Sequence, residues 1–270
     1  MNSPTRDDSS PPVFFSILIP AHNEEGSIET TCAAILARFE REGIRDFEIL
    51  IVNDSSTDKT GEALIRLASR SPFIRFVDNM PPNGFGYAVR HGLDHCRGEA
   101  VCIVMADLSD SPDDIIIYYR KIQEGWECVF GSRFMRGSAV YDYPRVKYIL
   151  NRLANWFIKI IFGLAHDDIT NAFKCYRRNV IEGIQPLLSK HFNLTVEMPL
   201  KAIVRGYTYC RVPISWRNRT SGVSKLKIKE MGSRYLFIVL YVWLEKILSR
   251  GDYKKTTGPI HDSESQEKQA

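Results

Sequence analysis

The sequence has little of several features that assign a chain to a functional class. Its 270 residues include six cysteines, which form no C-x-x-C pair, so neither a zinc site nor a disulfide framework is indicated. Scattered thiols of this kind fit a reducing cytosol. The net charge of +4 is small for this length, so charge gives no reason to expect a nucleic-acid partner. We therefore expect a cytoplasmic globular protein that binds no nucleic acid.

Long apolar segments are also missing. Residues 1–12 contain neither a positively charged stretch nor an apolar one, so we expect a disordered lead and not a signal peptide. The most apolar run, residues 235–248, is shorter than the roughly 20 residues that cross a bilayer. Basic residues flank it, so residues 226–250 are predicted to form an amphipathic helix, either on anionic lipid or packed on the protein. Residues 251–270 are polar and are predicted to be a disordered tail.

Hydrophobic periodicity predicts the fold. Four apolar runs have the length of a strand, and each precedes a polar loop and a helical pattern: residues 14–21, 47–52, 73–77 and 101–105. Residues 128–131 end a fifth strand. This alternation predicts an α/β fold, a mostly parallel sheet flanked by helices, over residues 13–225.

Acidic side chains follow several of these predicted strands. Glu24 follows the first run, Asp54 the second and Asp107 the fourth. Because the carboxyl ends of parallel strands meet at one edge of a sheet, we expect these carboxylates to share an acidic rim. Hard oxygen ligands suit Mg²⁺ or Mn²⁺ carrying a diphosphate. The alternative is that Ser109 and Asp110 only cap the next helix.

Six motifs then occur in the order that one enzyme family shows: ILIPAHNEE, VNDSSTD, ADLSD, GSRF, DITNAFKCYRR and RNRTSGVSK. Over residues 14–225 the sequence thereby resembles the GT-A glycosyltransferases of family 2, and within them the dolichol-phosphate mannose synthase-like enzymes. The resemblance implies a Rossmann-like GT-A fold and inverting transfer from a nucleotide sugar, with GDP-mannose or a UDP-sugar as donor. It also implies a polyprenyl or dolichyl phosphate acceptor and a Mg²⁺ or Mn²⁺ cofactor.

The resemblance assigns a donor site. Residues at the ends of the predicted strands would hold the nucleotide sugar: Pro20, His22, Glu24, Val52, Asp54, Ala106, Asp107, Ser109 and Arg133. Asp107 and Ser109 would be the metal ligands. Met105 stands where the family's commonest pattern has a first aspartate, and a thioether is a poor ligand for these ions. Metal binding then depends on Asp107 and the substrate phosphates, and a catalytically silent nucleotide-binding homologue stays an alternative.

The motifs also contain basic residues that correspond to phosphate-binding residues of the family: Arg133, Arg152, Arg219 and Lys225. With Asp107 they form the predicted catalytic set, and Arg219 and Lys225 also count as donor-binding. Arginine suits this task because its planar fork meets a phosphate with two parallel hydrogen bonds. Surface ion pairing is the alternative interpretation.

The acceptor determines which catalytic groups the reaction needs. A saccharide hydroxyl, the alternative acceptor, requires a general base, for which Asp168 and Glu197 are the candidates. A phosphate is already ionised, so positioning by arginines suffices. The abundant basic loop residues and the lack of an obvious histidine base favour the phosphate. We expect a peripheral enzyme at the cytoplasmic, inner face of the membrane; a membrane-anchor partner or a homodimer is left open.

Overall fold

The structure is a computed structural model, and it describes residues 12–218 and 228–255, without the side chains of residues 228–231. The predicted disordered N-terminal segment, residues 1–12, and the predicted domain boundary at residue 225 lie outside these ranges, with one exception, and stay predictions. The exception is Pro12, which is described and exposed. Residues 251–255, which we placed in the tail, are attached to the domain. The Lys255 amide donates to the Arg205 carbonyl at 2.8 Å, and its ammonium lies 2.9 Å from Glu127.

The described residues alternate between strands and helices. The first half contains β1 (Phe15–Ala21), α1 (Ile28–Arg41), β2 (Phe47–Asp54), α2 (Thr60–Arg70), β3 (Ile74–Asn79), α3 (Phe85–His95), β4 (Ala100–Ile103) and α4 (Pro112–Gln123). The second half contains β5 (Cys128–Ser132), β6 (Ala139–Tyr141), α5 (Arg145–Phe162), β7 (Lys174–Arg177), α6 (Arg178–Gly183), α7 (Leu194–Val204), β8 (Tyr209–Pro213), β9 (Ser215–Arg217) and α8 (Ile228–Leu248).

Seven strands form one sheet in the order β3-β2-β1-β4-β7-β5-β8. The pairs among β1 to β4 and the β5–β8 pair are parallel, whereas β7 runs antiparallel between β4 and β5. β6 and β9 form a separate parallel pair. The predicted α/β fold with a mostly parallel sheet is confirmed, and the short β6 and the antiparallel β7 are among the strands that periodicity missed.

Both faces of the sheet are covered by helices, as the apolar runs predict. In β1, Ile17 and Ile19 point to the face covered by α1, α2 and α4, and Leu18 points to the face covered by α3, α6 and α7. A strand buried on both faces has no polar side, which is why the run reads as continuously apolar. Gly92 lets α3 lie against the sheet, because a Cβ there would be 2.2 Å from Leu18 Cδ1.

A third apolar cluster joins α5, α7 and α8 beside the sheet. It contains Ile158 of α5, Leu200 of α7, and Val239 and Val242 of α8. α5 and α8 nevertheless carry many exposed apolar side chains. These are Val146, Tyr148, Ile149, Leu150, Leu153, Trp156, Phe157 and Ile160 on α5, and Leu236, Phe237, Leu240, Leu244, Ile247 and Leu248 on α8. Among the described helices, none has both the length and the apolarity to span a bilayer.

His166, which follows α5, predicts a pH dependence of stability. Its side chain is fully buried, and within the described residues neither ring nitrogen has a hydrogen-bond partner. Burial, with the nearby Lys174 charge, lowers its pKa from 6.5 to about 4. Between these values the unfolded chain binds a proton that the folded chain does not, so stability falls as the pH drops from 6.5 to 4. The loss amounts to about 3 kcal/mol at 1.36 kcal/mol per pKa unit.

Urea unfolding at several pH values checks this expectation. His166→Leu removes the titrating group and an unsatisfied buried polar group, so its stability should exceed that of the wild type increasingly as the pH falls. The exposed His95→Leu is the matched control. Equal pH dependence of the wild type and His166→Leu contradicts the prediction.

Candidate active site

A cavity of about 770 Å³ opens at the carboxyl ends of the parallel strands. Its floor is formed by the loops after β1, β2 and β4, and one wall is formed by α5 and α8. The predicted acidic residues meet there: Glu24, Asp54 and Asp107 all line the cavity. Parallel strands bring these loops together although they are far apart in the sequence.

The loops after β1 and β2 are tied to each other. His22 Nδ1 lies 2.6 Å from the Asp54 carbonyl, and the Glu24 amide donates to Thr60 Oγ1 at 2.9 Å. Pro20, His22 and Glu24 line the cavity, so the first motif faces its interior. A loop fixed from both sides in this way has the preorganisation that a binding site for a small ligand needs.

Asp54 is buried at the end of β2. One carboxylate oxygen accepts from Asn79 Nδ2 at 2.7 Å, and the other accepts from the Gly84 amide at 2.8 Å. Gly84 adopts φ +145°, and a Cβ on it would be 3.0 Å from the Lys190 carbonyl. The glycine-bearing loop before α3 is therefore shaped by close backbone contacts and by Asp54.

The loop after β4 contains the predicted metal ligands. Asp107 is partly exposed and lines the cavity together with Ser109 and the buried Asp110. Asp110 accepts a hydrogen bond from the Met105 amide at 3.0 Å. Burial, with the charge of Asp107, raises the pKa of Asp110 to about 7. Ser111, not Ser109 or Asp110, caps α4, because its side chain accepts from the Asp113 amide.

The donor set of this loop fits a hard divalent ion in part. Asp107, Ser109 and Asp110 supply carboxylate and hydroxyl oxygens, which Mg²⁺ and Mn²⁺ prefer. Within residues 12–218 and 228–255, no three His, Cys, Asp or Glu side chains gather into a group that could hold a metal. A divalent ion held by this loop would therefore need further oxygens, such as those of a bound phosphate group or of water.

Arg133 follows β5 and lines the cavity. Its Nε and Nη2 donate to the two oxygens of Asp168 at 2.8 and 2.7 Å, and its guanidinium lies 5.4–5.7 Å from the ring centres of Phe134, Tyr143 and Trp216. Burial disfavours the charge of Asp168, but Arg133 outweighs it and lowers the pKa of that carboxyl. The pair fixes the guanidinium, because two parallel hydrogen bonds hold its Nε and Nη2 against the carboxylate.

Other predicted site residues lie elsewhere. Arg152 is directed to Phe134, with its guanidinium 4.4 Å from the ring centre, and it is not among the residues that line the cavity. Val52 packs in the core, and Ala106 is buried with its carbonyl accepting from Thr31 Oγ1; neither is among the residues that line the cavity. Arg219 and Lys225 lie outside the described residues, and their roles stay predictions.

The two candidate general bases are both engaged. Asp168 is held by Arg133, as described above. Glu197 is fully buried and accepts from the amides of Leu188 and Ser189, both at 2.7 Å, and from Lys201 Nζ at 2.9 Å. Neither carboxylate lines the cavity. Both instead stabilise the second half of the fold, because a buried charge needs partners of this kind.

The sequence interpretation missed the residues that α5 and α8 bring to the cavity. On α5 these include Lys147, Asn151, Ala154 and Ile158, and α8 adds Arg234 among others. These four residues of α5 are separated by four, three and four positions, which places them on one face of the helix. This spacing is visible in the sequence. The sequence does not predict which side of α5 faces the site, because that depends on how the helix packs.

The mostly parallel mixed sheet flanked by helices is the fold of the GT-A class of glycosyltransferases. A family model described as Glycosyl transferase family 2 matches residues 16–184, and the chain belongs to this family. It is 28% identical over 216 residues to the polyprenol monophosphomannose synthase of Mycolicibacterium smegmatis, covering 78% of this chain and 80% of that protein.

Two further comparisons agree with this assignment. The dolichol-phosphate mannosyltransferase of Pyrococcus furiosus is 27% identical over 216 residues, which cover 79% of this chain but 59% of that protein. The structure of the glucosyl-3-phosphoglycerate synthase of Mycobacterium tuberculosis with Mn²⁺, uridine diphosphate and glucosyl-3-phosphoglycerate superposes with a TM-score of 0.63. The sequence identity is 16%, and the match covers 87% of this chain and 80% of that one, so it shows a shared fold.

Proposed function

We propose that this glycosyltransferase moves a sugar from a nucleoside-diphosphate sugar to a polyprenyl phosphate, with inversion at the sugar carbon. One observation carries the proposal: the cavity that holds Asp107 and Arg133 continues into an apolar groove between α5 and α8. The groove is lined by Leu150 and Phe157 on one side and by Leu236 on the other. A polar end with an apolar extension matches a phosphate attached to a hydrocarbon chain.

The polar end of the cavity is suited to the donor. Glu24 and Asp54 accept hydrogen bonds, as recognition of base N–H groups or sugar hydroxyls requires. Asp107 and Ser109 would hold Mg²⁺ or Mn²⁺ together with the diphosphate. When bound, the ion supplies positive charge that stabilises the leaving diphosphate. The proposed donor is GDP-mannose or a UDP-sugar, because the lining of the cavity and the sequence motifs suit both nucleotide sugars.

The lining of the cavity is also suited to an anionic acceptor. Arg133, Lys147 and Arg234 line it, and cationic donors of this kind position a phosphate. A hydroxyl acceptor needs a general base, but Asp168 and Glu197 are both engaged in ion pairs, and neither carboxylate lines the cavity. This observation favours the phosphate acceptor over a saccharide.

We also propose that the exposed apolar surface of α5 and α8 contacts a membrane, at its cytoplasmic face. The sequence of α5 includes Arg145, Lys147, Arg152 and Lys159 and no acidic residue. A helix with exposed apolar side chains and basic flanks suits the surface of an anionic bilayer. The groove between α5 and α8 lies beside this surface, so a lipid-borne phosphate would reach the cavity without leaving the membrane.

A vesicle-binding measurement tests the membrane contact. Trp156 of α5 is 62% exposed, and Trp156→Ser should weaken sedimentation with vesicles containing anionic lipid roughly tenfold or more, because a buried aromatic contributes about 1.5–3 kcal/mol. Ile65 of α2 is 61% exposed but lies away from α5 and α8, so Ile65→Ser is the matched control. Equal weakening by both substitutions, or no vesicle binding by the wild type, would refute the contact.

The transfer reaction is tested with the full chain, Mg²⁺ or Mn²⁺, radiolabelled GDP-mannose and UDP-sugars, and either a polyprenyl phosphate or a saccharide. We expect metal-dependent label in the lipid fraction. Label that enters only the saccharide supports the hydroxyl-acceptor alternative. Tight nucleotide binding without transfer to either acceptor supports a catalytically silent homologue.

A further inference from the structure

Lys174 is a buried lysine at the start of β7, and burial lowers the pKa of its ammonium from 10.5 to about 7. Its side chain is 1% exposed, in the strand between β4 and β5. Its ammonium donates to three main-chain carbonyls: Ile169 at 2.9 Å, Thr195 at 3.3 Å, and Asn171. Because an ammonium has three N–H donors, these three carbonyls use all of them.

The contact with Thr195 has a cause in the sequence. Thr195 lies in the first turn of α7, where its carbonyl would accept from the amide four residues later. That residue is Pro199, which has no N–H, so the helix itself leaves this carbonyl without its usual partner. Lys174 supplies the missing donor from a neighbouring strand.

The three carbonyls belong to two segments that form part of the cavity wall. Thr170, Asn171 and Ala172 line the cavity from the loop before β7, and Thr195 lines it from α7. The loop is also held by α5, since Asn151 Nδ2 donates to Thr170 Oγ1 at 2.8 Å. Lys174 therefore joins this loop to α7 by hydrogen bonds, and Ile169 of the loop also lies in one apolar cluster with Val196 and Leu200 of α7.

We infer that Lys174 is a positioning residue for sugar transfer: it holds the loop at residues 169–172 against α7 and so sets the shape of the cavity wall opposite the donor loops. It acts through main-chain atoms and is itself buried behind the wall. The inference rests on the proposed function, because the positioned wall is the one that would contact the transferred sugar or the acceptor.

Lys174→Met tests the inference, with Lys201→Met as the matched control. Lys201 is equally buried and pairs with Glu197, but it does not contact the loop. We expect Lys174→Met to lower kcat about 10²-fold, because displacement of a site by about 1 Å has effects of this size. Nucleoside diphosphate affinity, measured by calorimetry, should stay unchanged, since the donor loops are separate from this wall. Lys201→Met should lower the melting temperature but retain kcat per folded molecule.

Pro199→Ala separates positioning from stability. In the Lys174→Met background, the new Ala amide donates to the Thr195 carbonyl, so the double variant should regain about 2–4 °C of melting temperature. It should not regain kcat, because the carbonyls of Ile169 and Asn171 still lack their donor. Recovery of both together, or equal kcat losses in the two lysine variants, would overturn the inference. Absence of transfer by the wild type would instead refute the proposed function.

Discussion

Replacing Asp107 with asparagine is expected to lower kcat/KM for sugar transfer about 10³-fold, a loss of about 4 kcal/mol in transition-state stabilisation. The effect is large because Met105, two positions earlier, offers only a thioether, and no group of three His, Cys, Asp or Glu ligands exists in the described ranges. Asp107 would therefore supply most of the negative charge with which the protein binds the divalent ion. An amide cannot replace that charge.

Two measurements check this expectation. Transfer is assayed across a Mg²⁺ or Mn²⁺ titration, and Mn²⁺ binding in the presence of a nucleoside diphosphate is followed by electron paramagnetic resonance. Asp113→Asn is the matched control, because Asp113 lies six residues along, with a side chain that is 74% exposed and paired with Arg38. Activity of Asp107→Asn that is high and independent of metal would rule out the role we assign to this carboxylate.

Replacing Arg133 with methionine is expected to destabilise the fold by about 3–5 kcal/mol, because it leaves the fully buried Asp168 without its charge partner. The same change also removes a cation from the cavity. Adding Asp168→Asn should restore more than half of the lost stability, since the isolated buried charge is then gone. The double variant should remain inactive, because the phosphate still lacks its cation.

Urea unfolding of the single and double variants measures the coupling. Arg66→Met is the matched control: Arg66 pairs with Glu29 on the surface, and both side chains are 46% exposed. Exposed pairs of this kind contribute about 0–1 kcal/mol. If Arg133→Met costs no more stability than Arg66→Met, Arg133 does not stabilise the buried Asp168 as we describe.

Part of the fold was readable because the relevant signals are local. Within about ten residues, the apolar run of β1 identifies a strand, and the polar loop containing Glu24 marks its carboxyl end, where parallel sheets bind ligands. The same holds for β2 with Asp54 and for β4 with Asp107. The rule that parallel strands share a carboxyl edge was then enough to bring these three carboxylates together.

The second half was less readable because its signals are not local. β7 is four residues long and runs antiparallel between β4 and β5, a placement set by main-chain pairing with strands distant in the sequence. Asp168 and Glu197 were interpreted as candidate bases, since a sequence does not show whether a carboxylate meets a solvent-filled cavity or a buried cation.

The sequence by itself therefore determined the fold class, the acidic edge and the family of this protein, because periodicity, strand ends and motif order are properties of short segments. Only the tertiary structure decided which charges pair in the interior and which face of α5 lines the cavity. It also decided that Lys174 donates to the Thr195 carbonyl, which Pro199 leaves without its helical hydrogen bond. These features depend on contacts between segments that packing alone brings together. Their physical basis is the need to satisfy every buried charge and hydrogen-bonding group.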